Sequence, residues 1–428
     1  MLKSPCKILI IGAGERGRAY ADYVAEHPDE GILVGVAEPR DYQRERMAQR
    51  HKIPTARVFR DWRDAAARER FADAVIIATQ DRMHVEPACV FAQQGYAILL
   101  EKPMATSQEG CQTIAEAMLR TGVMFAVCHV LRYTPYTQRL KRVLDSGRIG
   151  DIISVQHLEP VGYWHQAHSF VRGNWRNETE SSPMLLAKSC HDLDWMQYII
   201  GARCKKVSSF GSLKHFRPEN RPEGAADRCL DCAVSCQCPY SAVRLYTKLL
   251  EQGHTGWPLR VITNNISTEG VIEALRKGPY GRCVYACDND VVDHQTVNME
   301  FENGTTATFT MTAFTGLGYG RTTRIFGSRG EILGDSRSIR IMDFLTDEKE
   351  ELHLNTASTN ADGGHGGGDS GIMRRFLAAV AENDPEKITT GLAESYDSHA
   401  LVFAAETARK ESRVVDVPRL SLVTEPHN

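Results

Sequence analysis

The sequence predicts an α/β chain whose first part is a doubly wound parallel sheet. Three observations carry this. Short apolar runs alternate with helical patterns over roughly the first 130 residues, the rhythm of parallel strands joined by crossover helices. The first run, Lys7-Ile8-Leu9-Ile10-Ile11, flows straight into Gly12-Ala13-Gly14-Glu15-Arg16-Gly17. A later run, Ala97-Ile98-Leu99-Leu100, ends on Glu101-Lys102-Pro103. In open α/β sheets ligands gather at the carboxyl ends of the strands, so Lys102 stands where chemistry is expected. Pro103 cannot donate the next ladder bond, and the chain must turn there.

Taken in order, the glycine stretch is a G-x-G-x-x-G between a strand and the helical pattern Arg18 to Glu26. Gly12 permits the tight turn, Gly14 lets a pyrophosphate approach the backbone, and Gly17 lets helix and strand pack closely. The helix start at Glu15 and Arg16 offers amide donors to the phosphates. A second strand, Ile32 to Ala37, closes on Glu38, an acid positioned for the ribose hydroxyls of NAD. Arg40 nearby could instead pair with the 2′-phosphate of NADP; the acid favours NAD. Val75 to Thr79 is the next strand, placing Thr79 at the cofactor edge. His84 after it reads either as a residue beside the nicotinamide or as a polar helix start. Helices through Cys89 to Gln94 and Gln108 to Arg120, then a strand at Met124 to Cys128, complete a Rossmann pattern.

At 428 residues the chain exceeds one small core, and two domains with an insertion are expected. A formal net charge of -3 provides no field for nucleic acid or an anionic membrane surface. No apolar run approaches the roughly 18 residues of a membrane span. The apolar start lacks a small-residue cleavage site and reads as a strand, not a signal peptide. Of 12 cysteines, most are scattered, which suits buried thiols in a reducing, cytoplasmic setting.

Further motifs make the reading specific: Leu131-Arg132-Tyr133-Thr134-Pro135, Ser189-Cys190-His191-Asp192-Leu193-Asp194, and the turn Gly327-Ser328-Arg329-Gly330. With the glycine motif, Glu38 and Glu101-Lys102-Pro103, the chain resembles the glucose–fructose oxidoreductase / inositol dehydrogenase / rhizopine-catabolism family. The resemblance implies an NAD-binding Rossmann domain over residues 1–130. A substrate-binding α/β domain with a large open, mostly antiparallel sheet would follow over 131–428. It further implies sugar or polyol substrates, association of like subunits through the open sheet face, and a cis Lys102–Pro103 peptide. Lys102 would contact the reacting hydroxyl, and His191 matches the family's catalytic histidine. Glu101 and Lys102 would also border the cofactor. One departure stands out: the family's aspartate four residues before that histidine is Ala187 here, with Lys188 beside it.

Tyr163, His165 and Arg172 lie in a stretch dense in aromatic, histidine and arginine residues, just before Lys188. Read as a site, these four contact substrate, and the cations suit an anionic sugar; the alternative is a surface loop packed on the core. Residues from about 212 to 282 read as an insertion holding Cys229, Cys232, Cys236 and Cys238. That spacing suits a structural zinc held by thiolates, with Cys283 as a distant candidate ligand. A disulfide or free thiols are the alternatives. Late in the chain, His365 sits in a glycine-rich loop that could reach substrate, and Asp369 is an expected N-cap for the helix after it.

Three functions remain open from sequence. One is an NAD-dependent dehydrogenase in which Lys102 or His191 takes a hydroxyl proton. The second is an NAD-dependent, redox-neutral glycosidase running oxidation, elimination, hydration and reduction. The third is a dinucleotide-sensing protein without turnover.

Overall fold

β1 (Cys6–Ile11), β2 (Gly31–Ala37), β3 (Val58–Phe59), β4 (Ala74–Ile77), β5 (Ala97–Leu100) and β6 (Phe125–Val127) form one parallel sheet in the order 3-2-1-4-5-6. The computed structural model describes residues 4–317, 320–354 and 365–420. Helices cover both faces of the first sheet, which is why its strands read as unbroken apolar runs: Ile8, Leu9 and Ile10 are completely buried. The strand order reverses at β1 and β4, the crevice where such folds bind ligands. β3 has only two residues between polar neighbours, too little pattern to reveal a strand.

The second sheet holds β7 (Ile152–Pro160), β8 (Cys204–Ser212), β9 (His294–Phe301), β10 (Thr306–Thr312), β11 (Thr322–Gly327), β12 (Gly330–Gly334), β13 (Ser338–Asp343), β14 (Lys349–His353) and β15 (Val415–Asp416). Its order is 14-13-12-11-7-10-9-8-15, and β7 with β10 is the one parallel pair among antiparallel neighbours. Along β9, Gln295, Val297, Met299 and Phe301 point inward while their neighbours face out. The inner face packs on helices Met184–Ile200 and Leu392–Glu411. Helix Met184–Ile200 is buried everywhere except Lys188 and Tyr198, so it has no polar stripe to betray its orientation.

The three late motifs each have a structural cause. Arg132 makes a bidentate pair with Asp194 at 2.8 and 2.6 Å, locking the step between the sheets onto helix Met184–Ile200. Thr134 caps the helix Pro135–Asp145, with proline at its first position. Gly327 lies against the main chain: a Cβ there would fall 2.2 Å from the Ile149 carbonyl oxygen.

Tyr163–His165 is a single α turn that continues as a π-helical stretch, Gln166–Arg172, every residue of which is buried. The insertion lies between β8 and β9 and carries its own small core around Tyr246, Leu259, Val271 and Leu275. No helix among the described residues is long and apolar enough to cross a membrane.

The last third of the chain returns to the first sheet. Helix Gly368–Glu382 packs Ile372, Met373, Phe376 and Leu377 against the layer that contains Ile8, Ile10 and Tyr20. Gly367 occupies its N-cap; Asp369, expected there, lies in the first turn and turns to Arg16. Phe376 is wholly buried. Phe376→Ala should therefore cost about 3–5 kcal/mol in denaturant unfolding, with loss of cofactor-domain stability despite its place far along the chain. A cost below about 1 kcal/mol would mean this helix does not complete the first layer.

Candidate functional site

The cofactor cradle follows from the turn after β1. Gly12 has φ +95°, and a Cβ there would sit 2.5 Å from the Ala78 carbonyl oxygen, beside Thr79. At Gly17 a Cβ would meet the Gly12 oxygen at 1.9 Å. Gly14 differs: only the Arg40 guanidinium comes near, at 3.6 Å, which leaves its face open to a pyrophosphate. Helix Glu15–Glu26 starts with no side chain capping its amides, and Glu15 pairs with Arg18. Glu38, buried at the end of β2, accepts from the Ala13 amide at 2.8 Å and from the Arg40 amide and Nε at 3.0 and 2.7 Å. Burial alone would raise its carboxyl; the Arg40 and Ala13 donors bring it below the ordinary range. An open glycine face, free helix amides and an oriented acid fit NAD.

Arg16 and Glu101, expected at the cofactor, spend their side chains on each other. Arg16 Nε donates to Glu101 Oε1 at 2.6 Å, and its Nη2 pairs with Asp369 at 2.6 Å. Glu101 also accepts from the Tyr20 hydroxyl. His365 Nδ1 lies 3.2 Å from the other Asp369 oxygen. His84 takes the helix-start alternative: it is the N-cap residue of helix Val85–Gln93, fully buried, with Nδ1 2.7 Å from the Pro103 carbonyl oxygen, so it braces the Lys102 turn.

Around that turn the candidate site assembles. The Lys102–Pro103 peptide is cis. Lys102 Nζ donates to the main-chain oxygen of Ala187 at 2.6 Å. At position 187, where the resemblance implies an acid, the backbone of this helix takes the ammonium. One turn on, His191 is buried with neither ring nitrogen hydrogen-bonded. Its ring is 5.6 Å from that of His365 and 6.0 Å from that of His129. Burial first, then Lys102 and the neighbouring histidines and Arg321, push its pKa well below the ordinary value. His129 went unnoticed in the sequence although it lies two residues past the end of β6; burial pushes it down to about 4.

Lys188 is not free for an anion. Its Nζ is 2.8 Å from Glu159, at the end of β7, and Glu159 also meets Arg321 at 3.0 Å. Arg321 pairs with Asp192 as well, and Asp192 accepts from His157 at 3.1 Å. Glu159, Asp192 and Arg321 become neighbours only through sheet pairing, a signal no local pattern contains. Arg172 leaves the site altogether: it is 1% exposed and donates to the Arg282 and Tyr240 carbonyls at 2.7 and 2.8 Å. Tyr163 and His165 do remain on the partly exposed wall. His165 packs 4.9 Å from Trp257 of the insertion, and burial followed by Lys188 holds its pKa down. In the insertion, Cys229, Cys232 and Cys238 line one small cavity together with Cys283, whereas Cys236 is exposed and outside it. Of the expected quartet, three members share this cavity with Cys283 and Cys236 stands apart.

Residues 6–129 match the oxidoreductase family, NAD-binding Rossmann fold, and residues 141–417 match the same family's C-terminal alpha/beta domain. YteT of Bacillus subtilis (strain 168), described as a putative oxidoreductase, is 23% identical over 69% of this chain and 70% of its own. A 2,7-anhydro-N-acetylneuraminate hydratase of Escherichia coli (strain K12) is 30% identical over 36% of this chain and 41% of its own. Inositol 2-dehydrogenase 2 of Saccharopolyspora erythraea is 32% identical over 30% of this chain and 35% of its own. The chain thus aligns with well under half of these last two relatives. Among solved structures, a levoglucosan dehydrogenase in complex with NADH and levoglucosan superimposes with a TM-score of 0.71 at 18% identity, over 97% of this chain and 100% of that one. At that identity the likeness is one of fold. Both halves of the chain carry the same family's signature, and the protein belongs to the glucose–fructose oxidoreductase / inositol dehydrogenase / rhizopine-catabolism family of NAD-binding oxidoreductases.

Proposed function

We propose that this protein is an NAD-dependent oxidoreductase acting on a hydroxyl of an uncharged sugar, sugar derivative or polyol. The observation that carries the proposal is His191, a buried imidazole without a partner beside an ammonium held by a main-chain oxygen. Bound NAD supplies the hydride acceptor. His191, kept neutral by its surroundings, takes the proton of the reacting hydroxyl. Lys102 spends one of its three donors on Ala187 and keeps two for the same substrate oxygen, where they stabilise developing negative charge. Tyr163 and His165 orient the ring from the opposite wall. Glu38 would receive the ribose hydroxyls and repel a 2′-phosphate, which favours NAD over NADP. The choice of an uncharged substrate rests on Lys188 and Arg172, the two cations an anion would need: Glu159 neutralises one and the other lies elsewhere.

A second reading has its own support. His365, paired with Asp369 and facing His191, is an extra acid–base group that simple hydride transfer does not require. Such a group suits a redox-neutral sequence of oxidation, elimination, hydration and reduction on a glycoside. The similarity to a protein named as a hydratase points the same way.

Purified protein with NAD should be given a panel of sugars, polyols and aryl glycosides while NADH absorbance and aglycone release are followed together. Stoichiometric NADH is expected; aglycone release without NADH would replace the first reading by the second. Lys102→Ala and His191→Asn should each lower kcat/KM by roughly 10²–10⁴-fold, and full activity in either would remove that residue from the mechanism.

The pH profile tests the base separately. Neutral His191 is favoured in this cleft, so it stays unprotonated as pH falls through 6.5 and is lost only below that value. The acid limb of kcat/KM should lie below 6.5; a limb at or above it would exclude His191 as the titrating base.

Association of two copies through the outer face of the second sheet is also proposed. There Phe210 lies across from Thr296, which in turn faces Thr310, on the side away from the helices. Phe210→Glu should convert such a dimer to monomer in light scattering, and unchanged mass would move the interface elsewhere.

A further inference from the structure

The insertion holds a group of cysteines that the reaction does not use. A cavity of about 20 Å³ is lined by Cys229, Cys232, Cys238 and Cys283, with Arg172 at its wall. Two segments far apart in sequence bring these thiols together. Arg228 and Arg282 form an antiparallel bridge, and the Cys283 amide donates to the Asp227 carbonyl at 2.8 Å. Cys283 is thereby held beside Cys229. Cys232 and Cys238 reach the same space from the loop that follows.

Arg172 supplies an independent pointer. Its guanidinium is fully enclosed, Nη2 lies 3.6 Å from the Cys229 sulfur, and Nη1 has no hydrogen-bond partner. The other bonds of this cation go to main-chain carbonyls, which carry no net charge. A buried cation in that position calls for negative charge on the sulfurs it faces. Neutral thiols cannot provide it, whereas four thiolates on a divalent ion carry a net charge of two minus.

We propose that Cys229, Cys232, Cys238 and Cys283 bind one structural Zn²⁺, with Arg172 as the outer-shell partner that balances its charge. Among the described residues no group of three or more histidine, cysteine, aspartate or glutamate side chains is disposed to hold a metal as it stands. Binding therefore requires the four side chains to turn into the cavity they already line, bringing the sulfurs to about 2.3 Å from the ion. The step is not redox: Zn²⁺ enters, four thiol protons leave to solvent, and four Zn–S bonds form. A closed set of four thiolates leaves no position for substrate, which makes the role structural. The tie matters for the site because Arg172 ends the segment that begins with Tyr163 and His165. The metal would thus anchor one wall of the cleft to the insertion.

The test uses the full chain purified without chelator, with elemental analysis and thiol titration. About one zinc per chain is expected. Cys283→Ser and Cys229→Ser should lose it, whereas Cys236→Ser and Cys287→Ser should keep it. Absence of stoichiometric zinc overturns the proposal, as does loss of zinc in Cys236→Ser or its retention in Cys283→Ser. Disulfides among the four cysteines under non-reducing mass analysis would also overturn it. Should the serine variants fail to fold, Co²⁺ substitution of the wild-type chain decides. Thiolate charge-transfer and tetrahedral ligand-field bands support the site, and a spectrum of oxygen- or nitrogen-ligated cobalt refutes it.

Discussion

One guanidinium ties the site together. Arg16 leaves the first turn of the cofactor helix and is claimed by Glu101, at the end of β5, and by Asp369, hundreds of residues later. Three elements that carry function meet in this contact: the glycine-rich cradle, the Lys102 turn and the loop that presents His365. Burial alone would raise both carboxyls, yet Arg16 beside them brings each below its ordinary range, so the network is ionised throughout the neutral region. Removing one member would strand the others as unpaired charges with little water around them. That cost makes the arrangement cooperative, and it occupies the side chain of a residue within the glycine motif.

The same logic runs through the substrate side. Glu159 and Asp192 share Arg321, Glu159 also holds Lys188, and His157 fixes Asp192 from behind. The acid missing at position 187 is thus not missing from the site: Glu159 brings a carboxylate from a different element. Lys188 and Arg321 each face a carboxylate, whereas Lys102 Nζ is bonded to a neutral carbonyl. Under the proposed function, this ammonium and a histidine that resists protonation would together receive an oxygen that becomes negative.

Much of the first half was legible in the sequence because its signals are local. An unbroken apolar strand, a glycine turn and an acid at the next strand end lie within short windows, and the cradle formed by Gly12, Gly14, Gly17 and Glu38 follows them closely. The rest depends on pairing between distant segments. Arg172 looked like a substrate ligand since it neighbours Tyr163 and His165 in sequence. The π-helical stretch shifts the facing of side chains, and this one buries itself in the insertion instead. His84 follows the helix-start alternative: it precedes helix Val85–Gln93, and its ring turns back on Pro103. Cys283 lay too far along the chain to be joined firmly to Cys229 until a single β-bridge made them neighbours.

These misassignments share a consequence for how the cleft is built. Arg172, Trp257 and the cysteines belong to one connected body: Arg172 bonds to Tyr240 and Arg282, while Trp257 packs on both Trp164 and His165. The insertion therefore does more than decorate the second sheet. It places Trp257 against Trp164 and His165, and through Arg172 it fixes the π-helical segment that follows Tyr163–His165. A sugar's apolar face suits such rings, whereas its hydroxyls suit the polar groups opposite. Under the proposed function, selectivity would then depend on a piece of chain outside helix Met184–Ile200, held in place by one buried arginine.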